Sequence, residues 1–371
     1  MDFQHKIEHL KDKGRFRELK EVTSLEGKFI DIQKRRFVNF TSNDYLGIAQ
    51  TPIDLERLDK DLHTYGNHLS SSRLVSGNSI MYTEIEARLC AYTGFEAALI
   101  TNSGYDANLA VFNVLKDEDV MIFSDAMNHA SIIDGIRLSQ LDKKIYPHLD
   151  YDILEHKIKS EKPEKTKIIV TDTIFSTDGS MADLNRLKQI KQQHSNVFII
   201  IDDSHGLGLA LNEDYAEIDV LTSSLSKAVG AYGGVILSSK AFKVMLVNTG
   251  RPVIYASGLP TINLHIIREN VNRLIDNDTK CKQLLELSRY FNQEFSRYVD
   301  RNQNTDSPIK EIRFRDNQTA SSAYQTLIDN GILVSYFRYP TVKHPALRIS
   351  LNTFHNKADI DALLKIVRDV L

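Results

Sequence analysis

Two side chains of opposite charge follow apolar runs near the middle of this 371-residue sequence. Asp202 closes the run "FIIID", and Lys227 follows the strand-like run "DVLTSS", within "SSLSKAVGAYGG". Because parallel strands joined by right-handed crossovers end at the same edge of a sheet, we expect the carboxylate and the amine to share one pocket. A carboxylate that faces a heteroaromatic nitrogen and a lysine that forms a Schiff base are the two protein groups that a pyridoxal phosphate enzyme needs.

A phosphate site is predicted where the strand "AALIT" passes into "NSGYDANLA". Ser103, Gly104 and Tyr105 open a helix there. Free backbone N–H groups and the helix dipole favour an anion at such a junction. The Tyr105 ring could stack on the cofactor or hydrogen-bond to it, and the hydroxyls of Ser224 and Ser226 could contact the same phosphate. Taken alone, the glycine is explained equally well by a tight turn.

Two histidines could complete the cofactor site. His205, in "DDSHGLG", could bond to the ring hydroxyl of the cofactor, and His129, in "SDAMNHAS", could stack on the ring face. Each alone is more often a structural loop histidine, and Asp202 alone could equally be a helix cap or half of a structural ion pair. No second ligand stands at helical or CxxC spacing, so a metal site is not predicted.

Other catalytic motifs fail on inspection. The sequence has no GxxxxGK[ST] loop for nucleotide phosphates, and "GLGLAL" lacks the third glycine of a dinucleotide-binding fingerprint. "SSLSK" is not accompanied by the SDN and KTG elements of a β-lactamase. These enzyme classes are therefore not favoured.

The elements that must position these residues alternate from about residue 84 onward. Amphipathic helices such as "TEIEARLCAYTG" and "LNRLKQIKQQH" are interleaved with short apolar runs such as "KIIV" and "VFIII". Continuous apolar strands are typical of a parallel sheet that is covered on both faces. The pattern therefore predicts an α/β fold, with ligands bound beyond the carboxyl ends of the strands.

Three segments are predicted from the changes in pattern. Residues 1–45 are expected to form an N-terminal arm, with a charged helix over 2–20 followed by a hairpin. Residues 46–258 would form the large cofactor-binding domain, which ends at the Pro and Gly residues of "RPVIYASGLP". Residues 259–371 would form a smaller α+β domain that begins with a long amphipathic helix from about 261 to 300.

The bulk composition favours a small soluble substrate. The net charge is −3, so no strong field attracts nucleic acid or an anionic membrane. The N-terminus has no apolar signal segment, and no run approaches the ~20 apolar residues of a membrane span. The two cysteines, Cys90 and Cys281, stand far apart and do not indicate a disulfide framework. A cytoplasmic protein that binds neither nucleic acid nor membrane is expected.

At this point the motifs resemble those of a known family. "NFTSNDYLGI", "SSSRLVSGNS", "SGYDANLA", "SDAMNHASIIDGIR", "TIFSTDGSMADL", "IDDSHGLG", "SSLSKAVGAYGG" and "YASGLP" are similar, in this order, to the motifs of the α-oxoamine synthases. The likeness runs from about residue 38 to 352. The resemblance implies the aspartate-aminotransferase fold (pyridoxal phosphate fold type I), with a central mostly parallel sheet, a smaller α+β C-terminal domain and an N-terminal arm.

The resemblance also implies a role for individual residues. Lys227 would be the Schiff-base lysine, Asp202 the partner of the ring nitrogen, and His129 the stacking histidine. The further cofactor contacts that it implies are those of Tyr105, Ser176, His205, Ser224 and Ser257. Ser257 would reach the phosphate of the partner subunit in a homodimer with shared active sites. The implied substrate contacts are those of Asn43, His129, Thr341 and Arg348, of which Arg348 would hold the amino-acid carboxylate.

Three departures from the family pattern affect the implied roles. The usual "GSGGSRL" is "HLSSSRL" here, so two serines replace glycines and should stiffen that loop. Tyr82 stands where a histidine is usual. The family's N-terminal arginine, which is thought to anchor the acyl carboxylate, corresponds to Lys20, with Arg15 and Arg17 as alternatives. The acyl specificity is thus the part of the resemblance that the residues support least.

Within the family, the sequence is most similar to the members that join L-alanine to a pimeloyl thioester in biotin biosynthesis. The pair Asn43 and Asp44 and the motif "DDSHGLG" favour them. Two alternatives stay open within the enzyme class: an aminoketobutyrate ligase that uses glycine and acetyl-CoA, and a serine palmitoyltransferase. A non-catalytic partner subunit or a pyridoxal-sensing regulator is disfavoured by the presence of Lys227 and the lack of a basic extension.

Overall fold

The N-terminal part of the chain forms one helix and a three-stranded antiparallel ribbon in the computed structural model, which describes residues 1–13, 15–211, 214–299, 304–339 and 342–369. Its elements are α1 (Phe3–Asp12), β1 (Val22–Glu26), β2 (Phe29–Ile32) and β3 (Arg35–Asn39). The helix predicted over residues 2–20 ends at Asp12, since the sequence places glycine, a poor helix former, at position 14.

The middle of the chain alternates helices and strands, as its periodicity predicts. Its elements are α2 (Leu55–Tyr65), α3 (Ile80–Thr93), β4 (Ala97–Thr101), α4 (Gly104–Val114), β5 (Val120–Asp125), α5 (Ala130–Leu138), β6 (Asp142–Tyr146), α6 (Tyr151–Lys159), β7 (Thr166–Asp172), α7 (Leu184–Gln193), β8 (Val197–Asp202), β9 (Val220–Ser224), β10 (Gly234–Ser238), α8 (Lys240–Thr249) and α9 (Arg251–Ile254). The strands form one sheet in the order β4-β10-β9-β8-β7-β5-β6. β10 is antiparallel to both of its neighbours, and the other adjacent pairs are parallel. The predicted α/β class with a mostly parallel sheet is confirmed.

Both faces of the central sheet are covered, and this is why its inner strands are apolar throughout. In β7, Ile169 packs into one apolar cluster, whereas Ile168 and Val170 pack into another. Successive side chains of a strand point to opposite faces, so the two clusters are the two layers on either side of the sheet. The charged side chains Asp172 and Asp202 stand at the ends of two of these inner strands.

The C-terminal part forms a second, smaller sheet with helices. Its elements are α10 (Thr261–Ile275), α11 (Asp278–Phe295), β11 (Ile309–Arg313), α12 (Asn317–Asp329), β12 (Ile332–Leu333), β13 (Ser335–Phe337), β14 (Ala346–Ser350) and α13 (Lys357–Arg368). The antiparallel sheet has the order β11-β14-β13. The single helix predicted from 261 to 300 is two helices, with the break at Asp276 and Asn277. Short polar side chains of this type compete for backbone hydrogen bonds and favour helix ends.

The N-terminal ribbon is joined to the C-terminal part. β12 extends the ribbon by pairing in parallel with β3, Ile332 opposite Val38. The backbone N–H of Ser350 donates to the carbonyl of Phe40 at 2.8 Å. These contacts carry the segment after β3, including Asn43, to the end of β14. The division at residues 45 and 258 into arm, large domain and small domain remains our proposal.

Neither a membrane span nor a metal centre is found in the described ranges. Among the helices there, none combines the length and the apolar run that crossing a bilayer requires. Nor does this part of the chain gather three or more His, Cys, Asp or Glu side chains in a way that could hold a metal ion.

Candidate active site

Two buried carboxylates stand side by side at the carboxyl ends of the central strands. Asp202 ends β8, Asp172 ends β7, and the two residues are opposite each other in the sheet register. Asp202 Oδ2 accepts a hydrogen bond from the Asn108 side-chain amide at 2.6 Å, and its Oδ1 accepts from the Ser204 N–H at 3.0 Å. Both oxygens of Asp202 are thus held by donors, which fixes the direction of the carboxylate.

Lys227 lies within electrostatic reach of both carboxylates. Lys227 is half-buried on the loop that follows β9. Burial lowers the pKa of the Lys227 amine below its ordinary value, while the negative charges of Asp202 and Asp172 act in the opposite direction. The charges of the acid and the amine that the sequence predicts at one sheet edge therefore act on each other in the structure. An amine with a lowered pKa supplies the neutral form that acts as nucleophile or base.

His129 is held by its backbone and by its ring. It is the N-cap of α5, and its backbone N–H donates to Asp172 Oδ2 at 2.9 Å. Its Nδ1 lies 2.7 Å from the hydroxyl oxygen of Ser131. Desolvation lowers the pKa of His129, with the charge of Asp202 opposing the shift. The ring therefore favours its neutral form, in an orientation that Asp172 and Ser131 set.

His205 is buried and paired with a tyrosine that the sequence analysis did not single out. Its Nδ1 lies 2.6 Å from the hydroxyl of Tyr45. Burial, with the charges of Lys227 and Arg348, holds the pKa of His205 well below its ordinary value, and burial raises the pKa of Tyr45 to about 12. Both groups are neutral, and the tyrosine hydroxyl has two acceptors in reach, Asn43 Oδ1 at 3.3 Å and His205 Nδ1 at 2.6 Å, so we assign its proton to the shorter contact. Nε2 then carries the imidazole proton and can donate to a cofactor oxygen.

Arg348 is a buried cation whose hydrogen-bond acceptors are neutral. Its Nε donates to the Ser176 carbonyl at 2.6 Å, Nη1 to the Ser350 hydroxyl at 2.7 Å, and Nη2 to Asn43 Oδ1 at 3.0 Å. These three bonds use one N–H of each guanidinium nitrogen, and the Tyr45 hydroxyl also hydrogen-bonds to the group. A buried positive charge solvated only by neutral oxygens favours an anionic ligand such as a carboxylate.

The predicted anion site at the start of α4 is built by close packing. Ser103 is the N-cap, and its Oγ accepts from the Asp106 N–H at 3.1 Å. A Cβ on Gly104 would come within 2.8 Å of the Cβ of Ser224. Only glycine allows this approach, which brings Ser224 and its neighbour Ser226, 2.8 Å apart at their hydroxyl oxygens, to the N-terminus of the helix.

Taken together, these groups fit pyridoxal phosphate. A carboxylate held at the strand end can face the ring nitrogen, and a nearby amine can bond to the aldehyde. The proton on His205 Nε2 can meet the ring oxygen, and the cradle between Gly104 and Ser224 can take the phosphate. This fit rests on the donor set and on a backbone cradle that a Cβ would fill.

The remaining predicted residues lie at varied positions. Tyr105 is exposed, and its hydroxyl bonds to Asp134, which raises the tyrosine pKa. Its ring lies edge-on to that of His129, with the ring centres 6.5 Å apart. Ser176 contributes its carbonyl to Arg348. Thr341 lies outside the described residues.

Two predicted residues contact other parts of the same chain. The amine of Lys20 donates to the Tyr324 hydroxyl at 3.3 Å, on α12. Ser257 is exposed, and its carbonyl accepts from the Asn102 side chain at 3.1 Å. Asn102 directly precedes the helix cap at Ser103, so the backbone of Ser257 lies close to the anion site of its own chain.

The sequence analysis missed three residues of the site. Asn108 falls one helical turn after Gly104 and thus on the same face of α4, which is a signal that spacing could have revealed. Asp172 ends a strand in "KIIVTD", much as Asp202 does in "FIIID". Tyr45 gave no local signal, because only the fold brings it to a histidine 160 positions away.

Comparisons with known proteins show which family the chain resembles over its whole length. The family aminotransferase class I and II matches residues 35–367. A curated relative, the 8-amino-7-oxononanoate synthase of Thermoanaerobacter pseudethanolicus, is 30% identical, and the match covers 98% of this chain and 95% of that protein.

Two solved structures share the fold. The 8-amino-7-oxononanoate synthase of Francisella tularensis is 27% identical with a TM-score of 0.78, covering 90% of this chain and 97% of its own. The serine palmitoyltransferase of Sphingomonas wittichii is 23% identical with a TM-score of 0.90, covering 99% of this chain and 96% of its own.

Proposed function

Because the chain belongs to the aminotransferase class I and II family and, within it, to the α-oxoamine synthases, we propose that it joins L-alanine to a pimeloyl thioester. The products would be 8-amino-7-oxononanoate, carbon dioxide and the free thiol, as a step of biotin biosynthesis. The protein is a pyridoxal-phosphate-dependent enzyme, which confirms the cofactor and the family that the sequence predicted. The observation that carries the substrate assignment is the full-length similarity to relatives that bear the name of this activity.

The chemistry divides among the residues of the site. Pyridoxal phosphate, when bound, supplies an electron sink that makes the α-proton of the amino acid acidic. Lys227, whose amine has a lowered pKa, takes that proton. Asp202, whose carboxylate is held in direction by Asn108 and Ser204, would hold the ring nitrogen and stabilise a proton on it. His129 lies within reach of the charges of Asp202 and Lys227. It would orient the thioester carbonyl.

The overall change balances without an added oxidant or reductant. A carbon–carbon bond forms between the α-carbon of alanine and the acyl carbon, while the carbon–sulfur bond of the thioester breaks and the thiol leaves. The carboxyl group of alanine is lost as carbon dioxide, and the α-carbon is protonated again. Lys227 is the group at hand for both proton transfers.

The assay that tests this proposal is a panel of amino acids against acyl thioesters. Purified protein would be given glycine, L-alanine and L-serine, each with acetyl, pimeloyl and palmitoyl thioesters, and the release of thiol would be followed. We expect the highest kcat/KM for L-alanine with the pimeloyl thioester. Highest turnover of glycine with acetyl-CoA would instead assign an aminoketobutyrate ligase, and of serine with a palmitoyl thioester a serine palmitoyltransferase. The likeness to the serine palmitoyltransferase supports the shared fold only, because its sequence identity is low.

Arg348→Ala is expected to raise the dissociation constant of the amino acid by about 100-fold, since charge-assisted hydrogen bonds are worth about 1.5–3 kcal/mol each. Arg348→Lys keeps the positive charge but loses the planar pair of N–H donors. Its dissociation constant should lie between those of the wild type and Arg348→Ala. Titration of the holoenzyme with L-alanine, followed by cofactor absorbance, measures this constant. Arg315→Ala, an exposed arginine of the same sheet region, is the control. An unchanged constant for Arg348→Ala would assign the carboxylate to another group.

We also propose a homodimer in which Ser257 completes the phosphate site of the partner subunit. Ser257 is exposed beside the anion site. From this position its hydroxyl could reach a second copy of the chain. Cys90 and Cys281 form no disulfide bond in the described part of the chain, which is compatible with a reducing cytoplasm as the proposed location.

Mixed dimers test this arrangement. A chain with Lys227→Ala and a chain lacking Ser257 should each be inactive, whereas verified heterodimers should regain part of the activity, because one of their two sites receives both intact elements. Heterodimers isolated with two affinity tags give the measurement. Complete inactivity of such heterodimers would show that each site is built from a single chain.

A further inference from the structure

The segment that carries Ser257 is fixed to the loop before α3 by backbone contacts. Ser257 pairs with Ser72 as an isolated antiparallel bridge. The N–H of Gly258 donates to the carbonyl of Ser71 at 3.0 Å. A Cβ on Gly258 would come within 2.9 Å of the Gly77 carbonyl oxygen, so the two stretches of chain lie in close contact. The position of Ser257 therefore depends on the loop that it pairs with.

One peptide group of this segment is held at both of its polar atoms by side chains. His68 Nε2 lies 2.7 Å from the carbonyl oxygen of Gly258. The N–H of Leu259 donates to the hydroxyl oxygen of Tyr82 at 2.6 Å. This carbonyl and this N–H belong to the same planar unit, so the two contacts together fix its orientation. We call His68 and Tyr82 the peptide clamp, and the peptide that they hold begins one residue after Ser257.

Each side chain of the peptide clamp is held in turn by a neighbour. Nδ1 of His68 accepts from the Ser70 N–H at 2.9 Å, so the proton of the neutral imidazole is on Nε2, where it is donated to Gly258. The guanidinium of Arg73 lies over the Tyr82 ring, 3.8 Å from its centre. Burial raises the pKa of Tyr82, which keeps its hydroxyl neutral. The protein itself thus sets the geometry of the clamp.

The peptide clamp gives a physical reason for three departures from the family pattern. His68 and Ser70 belong to "HLSSSRL", which stands in place of "GSGGSRL", and Tyr82 stands in place of a histidine. Ser70 has a φ of +52°, in the left-handed region that glycine adopts without strain. Because the Ser70 N–H bonds to His68, the new histidine supports the strained backbone of the new serine. These residues therefore act as one unit.

The clamped segment reaches the predicted anion site at the start of α4. The carbonyl of Ser257 accepts from the Asn102 side chain at 3.1 Å, and Asn102 stands next to the N-cap Ser103. Resting on the proposed function, in which Ser257 contacts the cofactor phosphate, we propose that His68 and Tyr82 are positioning residues for this contact. They hold the peptide beside Ser257, so its hydroxyl is placed before the phosphate binds. A group placed in advance loses less conformational freedom on binding, and this increases the affinity.

Binding of two forms of the cofactor to the full-length protein, after removal of its own cofactor, tests the proposal without turnover. We expect Tyr82→Phe to raise the dissociation constant of pyridoxal phosphate by about 10-fold, because the Leu259 N–H loses its acceptor. The constant for pyridoxal, which keeps the aldehyde but lacks the phosphate, should stay unchanged. An equal rise for both ligands, or no rise for either, would overturn the proposal.

Tyr151→Phe is the matched control for Tyr82→Phe. The Tyr151 hydroxyl on α6 also accepts from a backbone N–H, that of Asp183, at 2.7 Å. This variant should bind pyridoxal phosphate and pyridoxal as the wild type does. A rise in the pyridoxal phosphate constant equal to that of Tyr82→Phe would show a general effect of a lost tyrosine hydroxyl, and would overturn the proposal.

Two replacements of His68 separate its two hydrogen bonds. Glutamine carries an N–H donor at about the position of Nε2, whereas asparagine carries an acceptor at about the position of Nδ1. His68→Gln should therefore bind pyridoxal phosphate nearly as the wild type does, and His68→Asn should bind it about 10-fold more weakly. Equal or reversed affinities would show that the bond to Gly258 does not act on phosphate binding, and would overturn the proposal.

A double variant shows whether the peptide clamp acts through Ser257. Ser257→Ala should by itself weaken the binding of pyridoxal phosphate. Adding Tyr82→Phe should then weaken it no further, because the hydroxyl that the clamp places is gone. A full additional loss, or no effect of Ser257→Ala alone, would overturn the proposal. Failure of the proposed function would instead appear as no turnover with any acyl thioester, which these binding constants do not measure.

Discussion

Lys227→Ala should lower turnover by about 1,000-fold or more, because the variant loses both the amine that bonds to the cofactor aldehyde and the base that moves the α-proton. The variant should still fold and still bind the cofactor noncovalently. Burial lowers the pKa of the Lys227 amine, so its charged form is disfavoured in the folded protein, and removal of the side chain need not destabilise the fold. Steady-state assays together with thermal denaturation check both expectations.

The position of the covalent bond gives an independent readout. Reduction of the wild-type holoenzyme with borohydride, followed by peptide mapping, should place the cofactor on Lys227, and the variant should carry no label. Lys240→Ala, which removes an exposed lysine at the start of α8, is the control and should keep full activity and labelling. A label on any other lysine of the wild-type protein would refute the assignment.

Asp202→Asn should lower turnover by about 100-fold or more, the usual loss when a fixed charge that stabilises a reacting group is removed. The neutral amide cannot hold a proton on the ring nitrogen. The charge of Asp202 also raises the pKa of Lys227 at present, so its removal should move that pKa further down. The pKa of the Lys227 amine in the cofactor-free protein, measured by the pH dependence of its chemical labelling, should therefore be lower in the variant than in the wild type.

A structural effect of this substitution can be separated from the electrostatic one. Both oxygens of Asp202 accept hydrogen bonds, and an amide can satisfy only one of the two donors, so a stability loss of about 1–3 kcal/mol is expected as well. Asp203→Asn is the matched control, because Asp203 is also buried and accepts from Tyr215 at 2.6 Å. It should lose comparable stability with a much smaller loss of turnover. If Asp202→Asn turns over at the wild-type rate, the assignment of Asp202 to the ring nitrogen is wrong.

Two features of the secondary structure could not be predicted from the apolar pattern of the sequence. β6 was not predicted, although it lies at the edge of the central sheet beside β5. Its residues "DKKIY" are mostly exposed, and an edge strand with charged side chains lacks the apolar run that marks its inner neighbours. The break between α10 and α11 was missed for a related reason, since the apolar periodicity continues across it while a few polar residues end the first helix.

The sequence by itself determined the α/β class, the family and the identity of Asp202, Lys227 and the Gly104 junction as candidates. These features are local: an acid at the end of an apolar strand, or a glycine before a helix, is visible within about ten residues because backbone geometry sets which groups emerge there. Their catalytic roles are still predictions.

The tertiary structure alone decided which hydrogen bonds join distant side chains in the site. Arg348 bonds to Asn43 across 305 positions, and His205 bonds to Tyr45 across 160. Neither pair can be predicted from the composition or from the apolar periodicity of the sequence. Both pairs depend on how β12 joins the N-terminal ribbon to the C-terminal sheet. Asp172 faces Asp202 only through the register of two strands. Long-range contacts of this kind arise from packing of whole elements, which short stretches of sequence do not encode.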